Sequence, residues 1–204
     1  MKESLQVGIT GGIGTGKSTV CKVFSTLGIP VYEADTRAKW LLDNHVSIKE
    51  ELVEAFGEAS YQNGKYNREH LAKIVFNDPS QTQRINAIVH PKVFEDYLTW
   101  AEKNNQATYL LREAAILFES GSAGLCDKII VVSSPMDLRI SRIRERDTFR
   151  SIQEIKAIMD KQMPEEEKIE KADFVIENDE KTLIIPQVLA IHQQLLTFAE
   201  NKRS

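Results

Sequence analysis

The residues best suited to chemistry form a glycine-rich stretch near the N-terminus. Residues 11–18 read Gly-Gly-Ile-Gly-Thr-Gly-Lys-Ser and match G-x-x-x-x-G-K-[ST], the phosphate-binding loop or P-loop. In such a loop the glycines let main-chain N–H groups turn toward phosphate oxygens, and the following helix adds partial positive charge. Lys17 would supply a cation to the β- and γ-phosphates, and Ser18 would supply a hydroxyl ligand for Mg²⁺. The stretch predicts a nucleoside triphosphate site without indicating what the nucleotide is used for.

Two carboxylates follow the second predicted strand. Glu33 and Asp35 come directly after residues 29–32, where the C-terminal edge of a parallel sheet lies beside a P-loop. A kinase needs a carboxylate near the γ-phosphate, because the attacking hydroxyl must be oriented or deprotonated. Asp35 is the better candidate for this role. The alternative is that Asp35 only caps a helix at residues 36–42.

A group of arginines is spaced by steps of three and four, so its members share one face of a predicted helix. These are Arg139, Arg142 and Arg146. Such a face suits a lid that closes over phosphates and excludes water. The alternative is a solvated basic stripe that pairs with neighbouring acidic residues. Because a P-loop is present, we favour the lid.

Three classes of P-loop protein compete: a small-molecule kinase, a GTPase switch, and a mechanical or assembly ATPase. A guanine-specific switch carries Asn-Lys-x-Asp and Asp-x-x-Gly, and neither string occurs in the sequence. A motor usually has an apolar run that ends in Asp-Glu, whereas residues 109–114 read Tyr-Leu-Leu-Arg-Glu-Ala. The sequence therefore favours a small-molecule kinase and leaves an assembly or regulatory ATPase as the alternative.

The elements that must position these groups alternate between strand and helix. Buried strands are predicted at residues 5–10, 29–32, 108–114, 128–133 and 174–176. A helix after the P-loop should end at Gly28, and a C-terminal helix tolerates Pro186 only in its first turn. Strands that alternate with helices predict a three-layer α/β fold with a mostly parallel sheet. Residues 45–105 read as mainly helical and exceed a minimal crossover, which predicts a helical insert.

The composition is that of an ordinary globular protein. Of the 204 residues, 42% are hydrophobic and 27% are charged, which argues against a disordered, collagenous or disulfide-framework chain. A net charge of −4 gives no sign of binding to nucleic acid or an anionic membrane. Cys21 and Cys126 form no CxxC pair, so we expect buried, reduced thiols. With no signal peptide or membrane-spanning run in the sequence, we expect a cytoplasmic protein.

Further strings, found in order over nearly the whole chain, make the sequence resemble the dephospho-coenzyme A kinase family. The matching strings lie at residues 8–19, 33–35, 75–79, 88–91, 117–121, 142 with 146–147, 162–164 and 172–178. The most specific are His90-Pro91 and Leu117-Phe118-Glu119. The resemblance implies transfer of a phosphoryl group from ATP, with Mg²⁺, to the ribose 3′-hydroxyl of dephospho-CoA. It also implies a single P-loop kinase chain over residues 1–204, with a nucleotide-binding core at about 1–40, 106–136 and 172–204, a helical substrate-binding insert at about 41–105 and a helical lid at about 137–171.

The site residues expected from the motifs and the resemblance fall into four groups. The catalytic group contains Asp35, Lys17, Arg142 and Arg146. The ATP-binding group contains Gly11, Gly12, Ile13, Gly14, Thr15, Gly16, Lys17, Ser18, Thr19, Arg142 and Asn178. The group that binds dephospho-CoA contains Thr10, Asp35, His90, Leu117, Phe118 and Glu119. The metal ligand is Ser18.

Four positions depart from the family pattern. Glu33 stands where the family usually has Asp, and Asn67 replaces the Asp of an Asp-Arg pair before a helix. Ala115 replaces a Pro, and Arg139 stands where Gln is common.

Overall fold

The computed structural model describes residues 4–78 and 80–203, and contacts within the chain divide them into two units. The first unit comprises the described residues within Met1–Glu33 and Asn104–Ser204, and the second comprises those within Ala34–Lys103. Pro79, which ends one of the family strings, lies outside the described residues.

The strands of the described residues form one sheet and one hairpin. They are β1 Leu5–Thr10, β2 Val31–Glu33, β3 Tyr61–Gln62, β4 Lys65–Tyr66, β5 Tyr109–Glu113, β6 Lys128–Ser133 and β7 Phe174–Glu177. The helices are α1 Lys17–Thr26, α2 Ala34–Asn44, α3 Val46–Phe56, α4 Arg68–Asn77, α5 Gln81–Lys103, α6 Met136–Arg146, α7 Ile152–Met159, α8 Glu165–Glu170 and α9 Ile184–Arg203. Short 3₁₀ turns lie at Glu58–Ser60 and Ser122–Leu125.

A parallel sheet with the order β2-β5-β1-β6-β7 lies at the centre of the first unit. Strand β1 is central, because Ile9 is paired with Glu113 of β5 and with Ile130 of β6. All five residues of β5 are buried, as expected for a strand covered by helices on both faces. The predicted three-layer α/β fold with a mostly parallel sheet is confirmed.

Helices α1 and α9 bury their apolar stripes in the core of this unit. The fully buried side chains include Phe24 of α1 and Leu195 of α9, and each such side chain contributes about 1.5–3 kcal/mol by leaving water. Pro186 is the third residue of α9, so it lies in the first turn as predicted.

Gly28 ends α1 as predicted, with a φ of 81° that favours glycine. Its N–H donates to Ser25 O at 3.0 Å, and the N–H of Ile29 donates to Phe24 O at 3.2 Å. These two bonds form a Schellman motif, which keeps Gly28 and Ile29 in the helix terminus. Strand β2 consequently begins at Val31, two residues later than predicted.

The second unit is mainly helical, as predicted, and it also contains a hairpin that was not predicted. Asn63 and Gly64 connect β3 to β4 with φ values of 51° and 77°. Two central residues with positive φ form the two-residue turn that favours Asn-Gly. The Asn-Gly dipeptide was therefore a readable signal for this hairpin. Asn67, which replaces the family Asp, caps α4 by accepting a hydrogen bond from the N–H of His70 at 3.1 Å.

Cys21 is buried, Cys126 is half-buried, and both are free. Among the residues described, no helix combines the length and apolar content that a membrane span requires.

Candidate active site

The P-loop connects the buried end of β1 to the first turn of α1. Gly14 and Gly16 have φ values of 84° and 90°, in the left-handed region that side chains other than glycine rarely adopt. A Cβ on Gly14 would also lie 2.7 Å from the main-chain oxygen of Arg139. The first turn of α1 contains no acidic residue, so the partial positive charge of this helix terminus is not offset there. The local sequence thus builds an anion-binding turn.

Lys17 is buried against the main chain of the P-loop, with 9% of its surface exposed. Its Nζ donates hydrogen bonds to Gly11 O at 2.9 Å and to Gly12 O at 3.3 Å. These bonds hold the cation within the loop that it is expected to serve. Ser18 and Thr19 follow in the first turn of α1 and are exposed.

Both main-chain polar groups of Ile13 in the P-loop are bound by side chains. Gln162 Oε1 accepts a hydrogen bond from the Ile13 N–H at 2.9 Å, and Arg139 Nε donates to Ile13 O at 3.0 Å. Arg139 is 7% exposed, and its Nη1 donates to Glu165 Oε2 at 2.6 Å. The P-loop is thereby hydrogen-bonded to α6 directly and to α8 through Arg139.

Asn178 and Arg142 attach the loop after β7 to the P-loop region. Asn178 is buried, and its Nδ2 donates to Thr15 O at 2.7 Å. Arg142 Nη2 donates to Asn178 O at 3.2 Å and to Glu180 Oε1 at 3.0 Å. Arg142 Nη1 donates to Ser134 Oγ at 3.0 Å. The structure therefore brings the predicted residues Arg142 and Asn178 together with the P-loop.

Arg146 has a different environment from the other two members of the predicted arginine face. Its side chain is 63% exposed, and Nε and Nη2 donate to the two carboxylate oxygens of Asp147 at 3.0 Å. The hydrogen bond to Asp147 raises the pKa of Arg146 and lowers that of Asp147. Arg139 and Arg142 thus contact the P-loop region, whereas Arg146 lies at the exposed end of α6.

The residues of the first unit that are expected to bind the acceptor lie at the end of β1 and in the loop after β5. Thr10 and Leu117 are fully buried, and the Thr10 hydroxyl donates to Ala115 O at 3.5 Å. Phe118 is half-buried. Glu119 Oε1 accepts hydrogen bonds from the Met163 N–H at 2.8 Å and is 2.9 Å from the Nζ of a lysine of α8.

That lysine is Lys168, which has no exposed surface. Burial alone would raise the pKa of Glu119, but hydrogen bonds from Lys168 and from the Met163 N–H hold this pKa below its usual value. The Glu119 carboxylate is therefore occupied by protein partners within the first unit.

The remaining two predicted site residues belong to the second unit. Asp35 is exposed in the first turn of α2, which begins at Ala34, so Asp35 is inside the helix and is not its N-cap. The helix predicted at residues 36–42 is correspondingly longer. His90 is exposed in the middle of α5, directly before Pro91, so it does not cap that helix either.

Comparisons with known proteins show to which family this P-loop chain is similar. The family model described as dephospho-CoA kinase matches residues 5–183. This chain belongs to the dephospho-CoA kinase family. It is 37% identical to the dephospho-CoA kinase of Bacteroides fragilis over 92% of this chain and 91% of that one. It is 34% identical to the enzyme of the same name from Porphyromonas gingivalis, over 97% of each chain.

Solved structures agree with this assignment to the dephospho-CoA kinase family. A structure from Thermus thermophilus has a TM-score of 0.81 at 34% identity, with 97% of this chain and 98% of that chain covered. Dephospho-CoA kinase from Campylobacter jejuni has a TM-score of 0.67 at 28% identity and covers 95% and 98%. Shikimate kinase from Acinetobacter baumannii, at 14% identity, a TM-score of 0.52 and coverage of 97% and 96%, shares the fold alone.

Sequence reasoning missed several polar residues that contact the P-loop, Arg139 or the loop after β5 in this dephospho-CoA kinase family member. They are Gln162, Glu165 and Lys168, and Arg139 was recognised only as part of the arginine face. Residues 165–170 read Glu-Glu-Glu-Lys-Ile-Glu, a composition that usually indicates a solvated surface, yet Lys168 is fully buried. The usable signal was Gln162, which belongs to one of the family strings.

A cavity of about 770 Å³ adjoins the P-loop at Gly12. Its charged lining comprises the acidic residues Asp160, Glu165, Glu166, Glu177 and Asp179 and the basic residues Arg139 and Lys168. This excess of carboxylates opposes a triphosphate, because like charges repel at short range. In this family member, the phosphate-binding chemistry therefore fits the P-loop better than the cavity.

Proposed function

We propose that this chain transfers the γ-phosphoryl group of ATP to the ribose 3′-hydroxyl of dephospho-CoA, giving coenzyme A and ADP. One observation carries the proposal: a chain matched to the dephospho-CoA kinase family over residues 5–183 holds Lys17 Nζ within its P-loop, 2.9 Å from Gly11 O. The family supplies the reaction, and the loop geometry supplies the means of binding a triphosphate.

On the donor side, the P-loop N–H groups and Lys17 would bind the β- and γ-phosphates. The peptide groups on both sides of Ile13 are already fixed by Gln162 and Arg139, and Thr15 O is fixed by Asn178. A loop that is ordered in this way loses little further conformational freedom when the triphosphate binds. The P-loop residues of the ATP-binding group other than Lys17 and Ser18 act through their main chain.

The described residues suit a Mg²⁺ ion that is held mainly by the nucleotide and has few ligands from the protein. The exposed Ser18 hydroxyl at the start of α1 would be its protein ligand. The described part of the chain contains no group of three or more His, Cys, Asp or Glu side chains that could hold a metal by itself. Mg²⁺ commonly keeps few protein ligands and takes its others from phosphates and water. When bound, it neutralises charge on the β- and γ-phosphate oxygens.

For the transfer itself, the oxygen of the acceptor hydroxyl forms a bond to the γ-phosphorus. The bond between that phosphorus and the β,γ-bridging oxygen breaks, and ADP leaves with the bridging oxygen. We assign the hydroxyl proton to the carboxylate of Asp35, which acts mainly by alignment because a loose transition state requires little base strength. Arg142 and Arg146 stabilise the negative charge of the transferring group.

The acceptor-binding role remains assigned to the helical insert at about 41–105 and to the residues after β5. The proposed contacts to dephospho-CoA are His90 in the insert and Thr10, Leu117, Phe118 and Glu119 at the end of β1 and after β5. The lid at about 137–171 would exclude water during transfer. We also propose that the enzyme acts in the cytoplasm, in keeping with its free thiols at Cys21 and Cys126, and cell fractionation with an antibody would test this.

The test is an assay of the purified protein with Mg-ATP and a panel of acceptors. ADP release would be coupled to NADH oxidation, and coenzyme A would be identified by mass. We expect turnover with dephospho-CoA and none with shikimate, a nucleoside or a nucleoside monophosphate. Turnover with one of those acceptors in place of dephospho-CoA would assign the chain to another kinase reaction. ATP hydrolysis that is indifferent to dephospho-CoA would instead support a regulatory or assembly ATPase.

A further inference from the structure

We propose that residues 162–168, here called the bridging segment, position the P-loop through Gln162 and Glu165 and the loop after β5 through Lys168, which is the positioning residue on the acceptor side. The inference rests on the proposed function, because it assigns the loop after β5 to the acceptor. No residue of the bridging segment was among the expected site residues, although residues 162–164 form one of the family strings.

The N-terminal part of the bridging segment is bound to the P-loop region. Gln162 accepts the Ile13 N–H at 2.9 Å, and Glu165 Oε2 binds Arg139, whose Nε reaches Ile13 O. Glu165 Oε1 also accepts hydrogen bonds from the Ser133 hydroxyl at 2.5 Å and from the Ser134 N–H at 3.1 Å. The segment is thus fixed to the P-loop and to the end of β6.

The C-terminal part of the bridging segment is bound to the loop after β5. Lys168 Nζ donates to Ala115 O at 3.2 Å and lies 2.9 Å from Glu119 Oε1. The same carboxylate oxygen accepts the Met163 N–H at 2.8 Å. Glu119 therefore binds the bridging segment at Met163 and at Lys168. Lys168 in turn binds the loop after β5 at Ala115 and at Glu119.

The burial of Lys168 gives this arrangement its significance. A fully buried ammonium needs polar partners on all sides, and its position is determined by them. Lys168 follows Glu165 by three residues in α8, so the two side chains lie on neighbouring positions of one helix face. One short helix therefore contacts the P-loop region through Glu165 and the loop after β5 through Lys168.

The experiment tests the two ends of the bridging segment separately, because each end is assigned to a different substrate. Lys168→Met removes the cation and keeps the chain length, whereas Gln162→Met removes the acceptor of the Ile13 N–H. We expect Lys168→Met to lower kcat/KM for dephospho-CoA by about 10- to 100-fold, because misplacement of substrate-positioning groups costs about that much, and to leave the Kd of ATP nearly unchanged. Gln162→Met should weaken ATP binding and leave KM for dephospho-CoA nearly unchanged. The Kd would be measured by titration with a fluorescent ATP analogue, without acceptor.

Two further variants guard against a purely structural reading. Lys168→Met/Glu119→Gln removes both charges, so it relieves the unpaired carboxylate that the single variant leaves, and it should retain the acceptor defect in a folded protein. Lys171→Met replaces an exposed lysine just beyond α8 and should behave as wild type. If the folded Lys168 variants lose affinity for both substrates equally, or for neither, the positioning role is wrong.

The result also distinguishes this inference from the proposed function. If wild-type protein turns over dephospho-CoA but the Lys168 variants match it, only the inference fails. If wild-type protein does not use dephospho-CoA, the proposed function fails and the acceptor side of the inference fails with it. In that case the ATP titrations of Gln162→Met still test whether the segment holds the P-loop, and an unchanged Kd would overturn that half as well.

Discussion

Arg139 donates a hydrogen bond from Nε to the main-chain oxygen of Ile13 across 3.0 Å, which bonds helix α6 directly to the P-loop. On the other side of the same residue, Gln162 binds the Ile13 N–H. Two consecutive peptide planes of the P-loop are therefore set by side chains outside it. Because main-chain N–H groups of this loop would bind phosphate, the orientation of these planes bears directly on catalysis.

The first prediction concerns Arg139→Gln, which introduces the residue common in the family at this position. Gln has too few donors to bind Ile13 O and to pair with Glu165 as Arg139 does. We expect the Kd of ATP to rise by about tenfold, as for the loss of one charge-assisted hydrogen bond. Calorimetric titration with a non-hydrolysable ATP analogue would measure it, with Arg144→Gln, an exposed arginine of the same helix, as the control. An unchanged Kd would mean that the bond between Arg139 and Ile13 O does not contribute to ATP binding.

The second prediction is that Lys17→Ala lowers kcat by at least about 10²-fold, because it removes a cation aimed at the transferring phosphoryl group. Lys17 is bonded to main-chain oxygens and does not pack in the apolar core, so the melting temperature should change little. The coupled ADP assay and a thermal melt would measure both quantities. Lys22→Ala, in an exposed position of α1, is the matched control. Normal turnover by Lys17→Ala would refute the phosphate-binding role.

The third prediction separates Arg142 from Arg146. Both Arg142→Ala and Arg146→Ala should lower kcat, because each removes a cation that we propose stabilises the charge of the transferring group. Only Arg142→Ala should also lower the melting temperature, since Arg142 bonds to Ser134 and Asn178 whereas Arg146 is 63% exposed and bonded to Asp147. Steady-state kinetics at several salt concentrations would test this. Full kcat in both variants, with altered salt dependence alone, would show that the arginine face is a solvated surface and not a phosphate-binding lid.

Local signals account for what could be predicted from the sequence. The P-loop, the strand before it and the helix after it are fixed by neighbouring residues, and Gly28 ends that helix by its own conformation. The Asn-Gly turn at residues 63 and 64 is an equally local signal, but it lies within residues 45–105, whose overall pattern predicts helix. Helix α2 begins at Ala34, directly after β2, so Asp35 lies in its first turn and not at the N-cap position that its residue type favours.

Long-range contacts account for what could not be predicted. The spacing of Arg139 and Arg142 predicts a shared helix face, but it does not indicate that Ile13 lies opposite one of them, 126 positions away. Lys168 stands in a charged run, and only its distant partners Ala115 and Glu119 make its burial favourable. Such pairs become visible only when the fold brings their elements together.

The fourth prediction concerns the pH dependence of stability through Glu119. Its pKa is lowered in the folded protein, although burial opposes this, by hydrogen bonds from Lys168 and the Met163 N–H. A lowered pKa contributes stability that is present above the unfolded value, about 4.3, and is lost as pH falls through the folded pKa. Glu119→Gln should thus lower the free energy of unfolding at pH 7, and the difference from wild type should shrink below about pH 4. Urea unfolding over this range would measure it, with exposed Glu166→Gln as control; a difference independent of pH would contradict it.

The last prediction concerns Asp35, the proposed partner of the acceptor hydroxyl. Asp35→Asn keeps the shape of the side chain and removes both the charge and the proton acceptor, so kcat should fall by about 10²- to 10⁴-fold. Because Asp35 lies in the first turn of α2, loss of its charge should cost only about 0.3–1 kcal/mol of stability. Glu33→Gln, at the exposed end of β2, tests the neighbouring carboxylate in the same assay. If Asp35→Asn turns over normally while Glu33→Gln does not, the hydroxyl is oriented by Glu33, and Asp35 serves only the helix terminus.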